Sequence, residues 1–292
     1  MYELNKVSHN TYYISAPSKV GIYVLDDNSV YLIDSGNDKS AGKSILKLLN
    51  DNGWTLKAII NTHSHADHIG ANNFLQEKTG CRIFAKGVEA CFVNYPILEP
   101  SLLYGANPHG ELKHKFLLAQ ESVCENINSI NFPPELSVVD LSGHSPEMIG
   151  IMTPDNVLFV ADSVSSHIIL AKYGISYIYD INKYLTTLEN LKKMSAQLFI
   201  PSHADVCCDI TEIADINYEK VMQIIDCICA FLKVPATFDN LLCHMFNKYN
   251  LTMTHEQNVL ISSTLKSYIT YLLEKGKISA HFENNICYYK IR

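Results

Sequence analysis

The chain has 292 residues, 47% of them hydrophobic and 18% charged, with a formal net charge of −7. That length accommodates one large domain, or a large one with a small one, and the composition is ordinary for a protein with a sizeable core. The acidic balance, with only Arg82 and Arg292 beside 21 lysines, argues against a polyanion-binding protein and against bidentate phosphate clamps.

The N-terminal stretch reads as strands. Thr11 to Ile14, Val20 to Leu25 and Val30 to Ile33 are β-branched and aromatic, with Asp26 to Ser29 as turn chemistry between the last two. Both faces of these runs are apolar, as in sheets packed on one side and covered on the other. A helix over Ser40 to Asn50, stopped by Gly53, precedes a strand over Leu56 to Ile60. A second helix (Ala71 to Lys78) and a strand (Arg82 to Phe84) follow. This alternation says α/β, with helices flanking the sheets.

From Val88 to Glu135 the rhythm breaks, with five prolines and short helical patches such as Lys113 to Leu118. Long irregular segments of this kind are lids, binding loops or subunit contacts. Tyr104, His109 and His114 are lid candidates, with surface or interface positions the favoured reading of each, and exposed apolar residues such as Leu98 and Leu102 equally suit a homodimer contact. Strands resume at Ser137 to Leu141, Ile149 to Met152 and Val157 to Val160. A helix from Asn182 to Met194 and a strand from Leu198 to Ile200 complete this part. Beyond residue 212 three helical stripes and a hairpin follow, the third helix opened by a capping box at Thr254 to Gln257. That order is the order of a winged-helix module. The expected division is therefore 1–212, with 88–135 as an insertion, and 213–292.

Chemistry concentrates at His63-Ser64-His65-Ala66-Asp67-His68, directly after the apolar run Ala58 to Ile60. Neutral imidazole suits borderline metals and carboxylate suits harder ones. At positions i, i+2, i+4 and i+5 on a loop, two groups aimed at neighbouring ions are the natural reading. Three further candidates also lie just past strand ends: His144 in Ser142-Gly143-His144, Asp162 in Ala161-Asp162-Ser163, and His203 in Pro201-Ser202-His203. Four strand ends delivering His or Asp to one sheet edge is a convergent pattern.

This ordered set, H-x-H-x-D-H, then G-H, then Asp after an apolar strand, then a late His, resembles the metallo-β-lactamase-fold hydrolases over roughly residues 1 to 210. The resemblance implies a four-layer αββα sandwich with metals at the edge between two sheets. It implies that His63, His65 and His144 hold one ion, that Asp67, His68 and His203 hold another, and that Asp162 bridges them. It gives Asp34 a supporting place behind the loop. The lactamases commonly carry Cys or Ser where this chain has Asp162; aspartate there resembles glyoxalase II and related hydrolases. The expected cofactor is two divalent ions, zinc first, with iron or manganese as alternatives.

The function expected is a dinuclear hydrolase in which a metal-bridging hydroxide, oriented by Asp67, attacks a thioester, ester or lactone of a small molecule. A metal-dependent endoribonuclease or phosphodiesterase is the alternative, and a non-enzymatic metal-responsive DNA-binding protein a weaker one. From Ala214 onward there are eight basic and seven acidic residues, too even for a nucleic-acid face. Nine cysteines without a C-x-x-C pair, no signal-peptide pattern and no spanning apolar run suggest a reducing cytoplasm and no membrane. Cys227 and Cys229 read as packing, and so do Cys207 and Cys208 despite their nearness to His203.

Overall fold

The computed structural model describes residues 2–292. Seven strands, β1 (Glu3–Lys6), β2 (Thr11–Ser15), β3 (Val20–Val24), β4 (Ser29–Ile33), β5 (Thr55–Ile60), β6 (Arg82–Ala85) and β7 (Cys124–Asn126), form one sheet in sequence order. The first four are antiparallel; β4 to β7 run parallel. The parallel crossovers carry α1 (Lys39–Asp51), α2 (Ala66–Ile69), α3 (Asn72–Thr79), α4 (Gly87–Asn94) and α5 (Leu98–Tyr104). A second sheet contains β8 (Ser137–Asp140), β9 (Ile149–Met152), β10 (Val157–Ser165) and β11 (Leu198–His203), in the order β11-β10-β9-β8. Helices α6 (His167–Tyr173) and α7 (Ile181–Leu191) lie between its last two strands in sequence.

Side-chain alternation builds the layers. On β4, Val30 and Leu32 join one apolar cluster with α1 and α3, whereas Tyr31 and Ile33 join another with the second sheet. On β10, Leu158 and Val160 face α7 and α8 (Thr211–Phe231), and Val157 and Phe159 face the first sheet. With a period of two, strands apolar on both faces must be covered on both. The result is helices, sheet, sheet, helices, the αββα sandwich the resemblance implies. The two sheets meet closely: a Cβ on Gly21 would fall 2.5 Å from a ring atom of Phe159.

The three helices and hairpin expected beyond residue 212 are α8, α9 (Phe238–Lys248), α10 (His255–Glu274), β12 (Ile278–Glu283) and β13 (Ile286–Ile291). Thr254 caps α10 by accepting from the Gln257 amide at 3.1 Å. The hairpin turns on Asn284 and Asn285, both at positive φ, a two-residue turn one residue shorter than the sequence suggests. Val221, Ile224, Leu241, Leu265 and Leu272 share one cluster with Leu158, Val160 and Leu188. The C-terminal segment therefore packs into the core of the second sheet's outer face.

The stretch 88–135 is more ordered than expected. It contains most of α4, all of α5, a short 3-10 turn at Gly110–Leu112 and β7. Lys113 to Leu118 is a turn, not a helix, because Leu112 and Leu117 are pinned against α10 while Phe116 between them stays exposed.

Tyr268 on α10 is fully buried, and its hydroxyl meets no hydrogen-bond partner, whereas the Tyr184 hydroxyl donates to Asn217 at 3.3 Å. Tyr268→Phe should leave the urea midpoint unchanged or raise it, because a buried orphan hydroxyl is a cost. Tyr184→Phe should lower stability by about 1 kcal/mol. A loss of stability at position 268 larger than at 184 would contradict this reading.

Candidate metal centre

The seven residues come from four strand ends, those of β5, β8, β10 and β11, and meet at one edge of the sandwich. His63 and His65 lie between β5 and α2; Asp67 and His68 are on α2, a single turn whose short length presents both side chains toward the same edge. His144 follows β8. Here Gly143 has φ +133°, and a Cβ would lie 2.3 Å from the Tyr184 amide of α7, so only glycine brings the His144 loop this close. Asp162 lies within β10, just after Ala161, which has φ +49°. The β10–β11 register shifts at Ala161, and this irregularity turns Asp162 inward. His203 ends β11.

The ligand-capable atoms fall into two groups, His63, His65 and His144, and Asp67, His68, Asp162 and His203, each within 4.8 Å of one another. His65 Nδ1 lies 3.1 Å from His63 Nε2 and 3.0 Å from His144 Nε2. In the second group His203 Nε2 is 3.2 Å from Asp67 Oδ2 and 3.3 Å from Asp162 Oδ2. His68 Nε2 is 3.1 Å from Asp162 Oδ1. Asp162 Oδ2 also lies 3.6 Å from His144 Nε2, so this carboxylate stands between the groups.

The donor chemistry fits divalent metal. Three imidazole nitrogens facing one point cannot satisfy one another, whereas two nitrogens on one tetrahedral zinc sit roughly 3.4 Å apart. Asp162 Oδ1 is buried without a hydrogen bond despite its nearness to His68. Ring orientations agree. His203 Nδ1–H donates to the Pro17 carbonyl at 3.1 Å, and His68 Nδ1–H to Asp34 at 2.8 Å, leaving each Nε2 for the cluster. The Thr62 hydroxyl donates to Asp34, so it accepts from His63 Nδ1–H at 3.1 Å. Asp34 thus orients rings of both groups, behind them as expected.

Electrostatics separates the groups. Burial, reinforced by neighbouring histidines, pushes His63 well below its usual range, His65 down to about 4 and His144 to about 3. These rings are neutral, the form that binds metal. Burial opposes charge on His68 and His203 too, but Asp162 and Asp67 outweigh it, lifting His68 well above the ordinary value and His203 to about 10. Asp67, 37% exposed, is held down at about 2: burial works against this, but His68 and His203 prevail.

The surroundings differ from expectation. His109 stacks edge-on to His255 at 4.7 Å and His114 approaches Glu256 at 3.8 Å, so these and Tyr104 face the start of α10 rather than the cluster. Tyr177, not foreseen, packs its ring 5.3 Å from His65 and 5.9 Å from His144. Glu99 on α5, also not foreseen, is partly buried, and burial with Asp67 and Glu89 nearby pushes its carboxyl well up. Cys207 pairs through its backbone with Phe199 and joins neither group. A surface groove of about 730 Å³ beside Phe74 and Ile97 contains none of the clustered residues.

A family model described as the metallo-beta-lactamase superfamily matches residues 17–203. Among curated relatives, a hydroxyacylglutathione hydrolase of Erythrobacter litoralis is 30% identical over 151 residues, 48% of this chain and 49% of that protein. One from Methylococcus capsulatus is 39% identical over 69 residues, 21% of this chain and 27% of that protein. A probable metallo-hydrolase of Bacillus subtilis is 28% identical over 162 residues, 52% of this chain and 59% of that one. The chain thus spans between about a quarter and three fifths of these relatives' length. Among solved structures, a metallo-beta-lactamase family protein from Thermus thermophilus gives a TM-score of 0.69 at 18% identity, covering 100% of this chain and 98% of that one. A beta-lactamase domain protein from Burkholderia ambifaria gives 0.70 at 16% identity, covering 99% and 94%. These two likenesses show the fold, and they extend through the C-terminal helices and hairpin.

The titration directions set a pH profile for metal-free protein. Unfolded histidine protonates near 6.5. His65 and His144 resist protonation down to about 4 and about 3, so folding loses stability as pH falls below about 6.5. His203 stays charged up to about 10; its contribution is complete below about 6.5 and is lost as pH climbs toward 10. Chelator-stripped protein should show its highest urea midpoint at about pH 6 to 7. A midpoint rising steadily from pH 6 to 9 would contradict this.

Proposed function

Since the chain belongs to the metallo-beta-lactamase superfamily, we propose that it is a dinuclear metal-dependent hydrolase of a small-molecule thioester, ester or lactone. The observation carrying this reading is the meeting of His63, His65 and His144 beside Asp67, His68 and His203, with Asp162 facing both. His and Asp donors suit zinc first, with iron and manganese accepted by the same set. Two such ions together supply a water made acidic near neutral pH and a Lewis acid for the oxygen under attack.

The chain's own residues do the rest. Asp67, the most exposed member of its group, lies at the open side, where it orients the attacking water and accepts its proton. Asp162 and Asp34 hold His68 between them, fixing the ring that shares the second group. Tyr177 walls the three-histidine group, and its packing with Leu103 and Val259 joins the wall to α5 and α10.

Charge supports this substrate class. The chain carries a net charge of −7 and only two arginines, of which Arg82 pairs with Glu125 and Arg292 lies beside Gly276. A polyanionic backbone needs a clustered basic face, so a carbonyl substrate is favoured over RNA. The nine free cysteines support a reducing, cytoplasmic setting. No helix among the described residues is long and apolar enough to cross a membrane. Tyr95, Leu98, Leu102 and Phe116, exposed on and around α5, support a homodimer contact.

The test is a panel of acyl-CoA, glutathione thioester and lactone substrates against metal-replete protein. Turnover of at least one class is expected, and Asp67→Ala, assayed at wild-type metal content, should lower kcat by roughly 10²- to 10⁴-fold. Silence on the whole panel, together with salt-sensitive cleavage of single-stranded RNA, would replace this reading with the endonuclease one.

A further inference from the structure

Glu89 has no place in the reaction described above, yet its carboxylate is fully buried and accepts four hydrogen bonds. It stands in the first turn of α4. Oε2 accepts from the Ser64 amide at 3.0 Å and from the Ser64 hydroxyl. Oε1 accepts from the Glu147 amide at 3.0 Å and from the Ser145 hydroxyl. Ser64 separates His63 from His65, and Ser145 follows His144. One carboxylate therefore ties together the two loops that carry the three-histidine group.

A second contact braces the same joint. The Val88 amide donates to Glu147 Oε2 at 2.6 Å, while the Glu147 amide donates to Glu89. A Cβ on Gly87 would fall 1.9 Å from that Glu147 oxygen, so the start of α4 lies flush against the His144 loop. None of these contacts reaches Asp67, His68, Asp162 or His203. Those residues rest on Asp34, Ser18 and the Pro17 carbonyl, with Lys19 holding the Pro201 carbonyl beside them. Asp34 serves both groups, through Thr62 to His63 and directly to His68.

We infer that Glu89 is the positioning residue of the three-histidine site, setting its metal affinity independently of the neighbouring site. The inference rests on the dinuclear reading. A buried carboxylate with four donors costs its desolvation unless all four bonds are kept. Its geometric effect is to fix the separation of His63 and His65 from His144. Those three nitrogens must lie on one ion, and groups that orient ligands this way change affinity by roughly 10- to 100-fold.

The test is stepwise titration of metal-free protein with Co(II), read by its visible absorption and by competition with a chromophoric chelator. His144→Ala identifies the spectrum of the three-histidine site by its loss. In Glu89→Gln an amide NH₂ faces donors on one loop or the other. Affinity at the three-histidine site should fall roughly 10- to 100-fold, with a shifted absorption band and the second site within about threefold of wild type. Asp34→Asn, in contrast, should weaken both steps. Ser145→Ala keeps the carboxylate and removes one donor, and should weaken the same site by a smaller factor; it decides the matter if Glu89→Gln does not fold.

Unchanged Co(II) binding in both variants would overturn the inference while leaving the dinuclear reading in place. Equal weakening of both sites alongside a lower Tm would also overturn it, by making Glu89 a support of the fold in general. Wild-type protein that binds fewer than two ions would overturn both the inference and the reading beneath it.

Discussion

Buried imidazoles converging on one edge need something behind them to hold their rings, and here that task falls to buried carboxylates that accept hydrogen bonds from the rings and their loops. Asp34 accepts from the Thr62 amide and hydroxyl and from His68 Nδ1–H, and it sits at φ +64°, a conformation aspartate tolerates better than most residues. Together with Glu89, which holds Ser64, and Asp162, which faces His68, it aims His63 and His68 inward rather than toward water. The sandwich supplies the platform. Each strand buried on both faces packs a different core on each, so a one-residue slip would send every side chain into the wrong core, and the strand ends are held in place.

That platform explains why the two groups differ chemically. The three-histidine group is made of imidazoles, with Asp162 at its border, and burial keeps the rings neutral. The second group pairs two histidines with two aspartates, whose opposite charges stabilise each other in the absence of metal. In the proposed dinuclear reading, a dication entering the first group would displace no protons, whereas one entering the second would compete with protons on His68 and His203. The two groups would thereby differ in how their metal binding depends on pH.

Much of this was legible from residues alone. Strand ends carrying His or Asp stood out because hydrophobic alternation marks a buried strand clearly and a polar residue just beyond it is conspicuous. All seven clustered residues could be named in that way. The rest depended on contacts far apart in sequence. Glu89 lies in an apolar stretch, Val88 to Val93, where one charged residue reads as the exposed edge of a helix; its partners are 25 and 56 positions away. Tyr177 lies in a loop of aromatic residues with no periodicity to rank it. Lys113 to Leu118 has helical propensity, but Leu112 and Leu117 are drawn onto α10 and override it. Tyr104, His109 and His114 fell in the stretch read as a lid, but they meet α10 rather than the cluster.

The central claim is that residues from distant strand ends form two adjacent cation sites, and anomalous X-ray scattering at the zinc edge from metal-loaded crystals tests it most directly. The account predicts two peaks, one among His63, His65 and His144 and one among Asp67, His68 and His203, with Asp162 between them. A single peak elsewhere, or none at this edge of the sandwich, would contradict it.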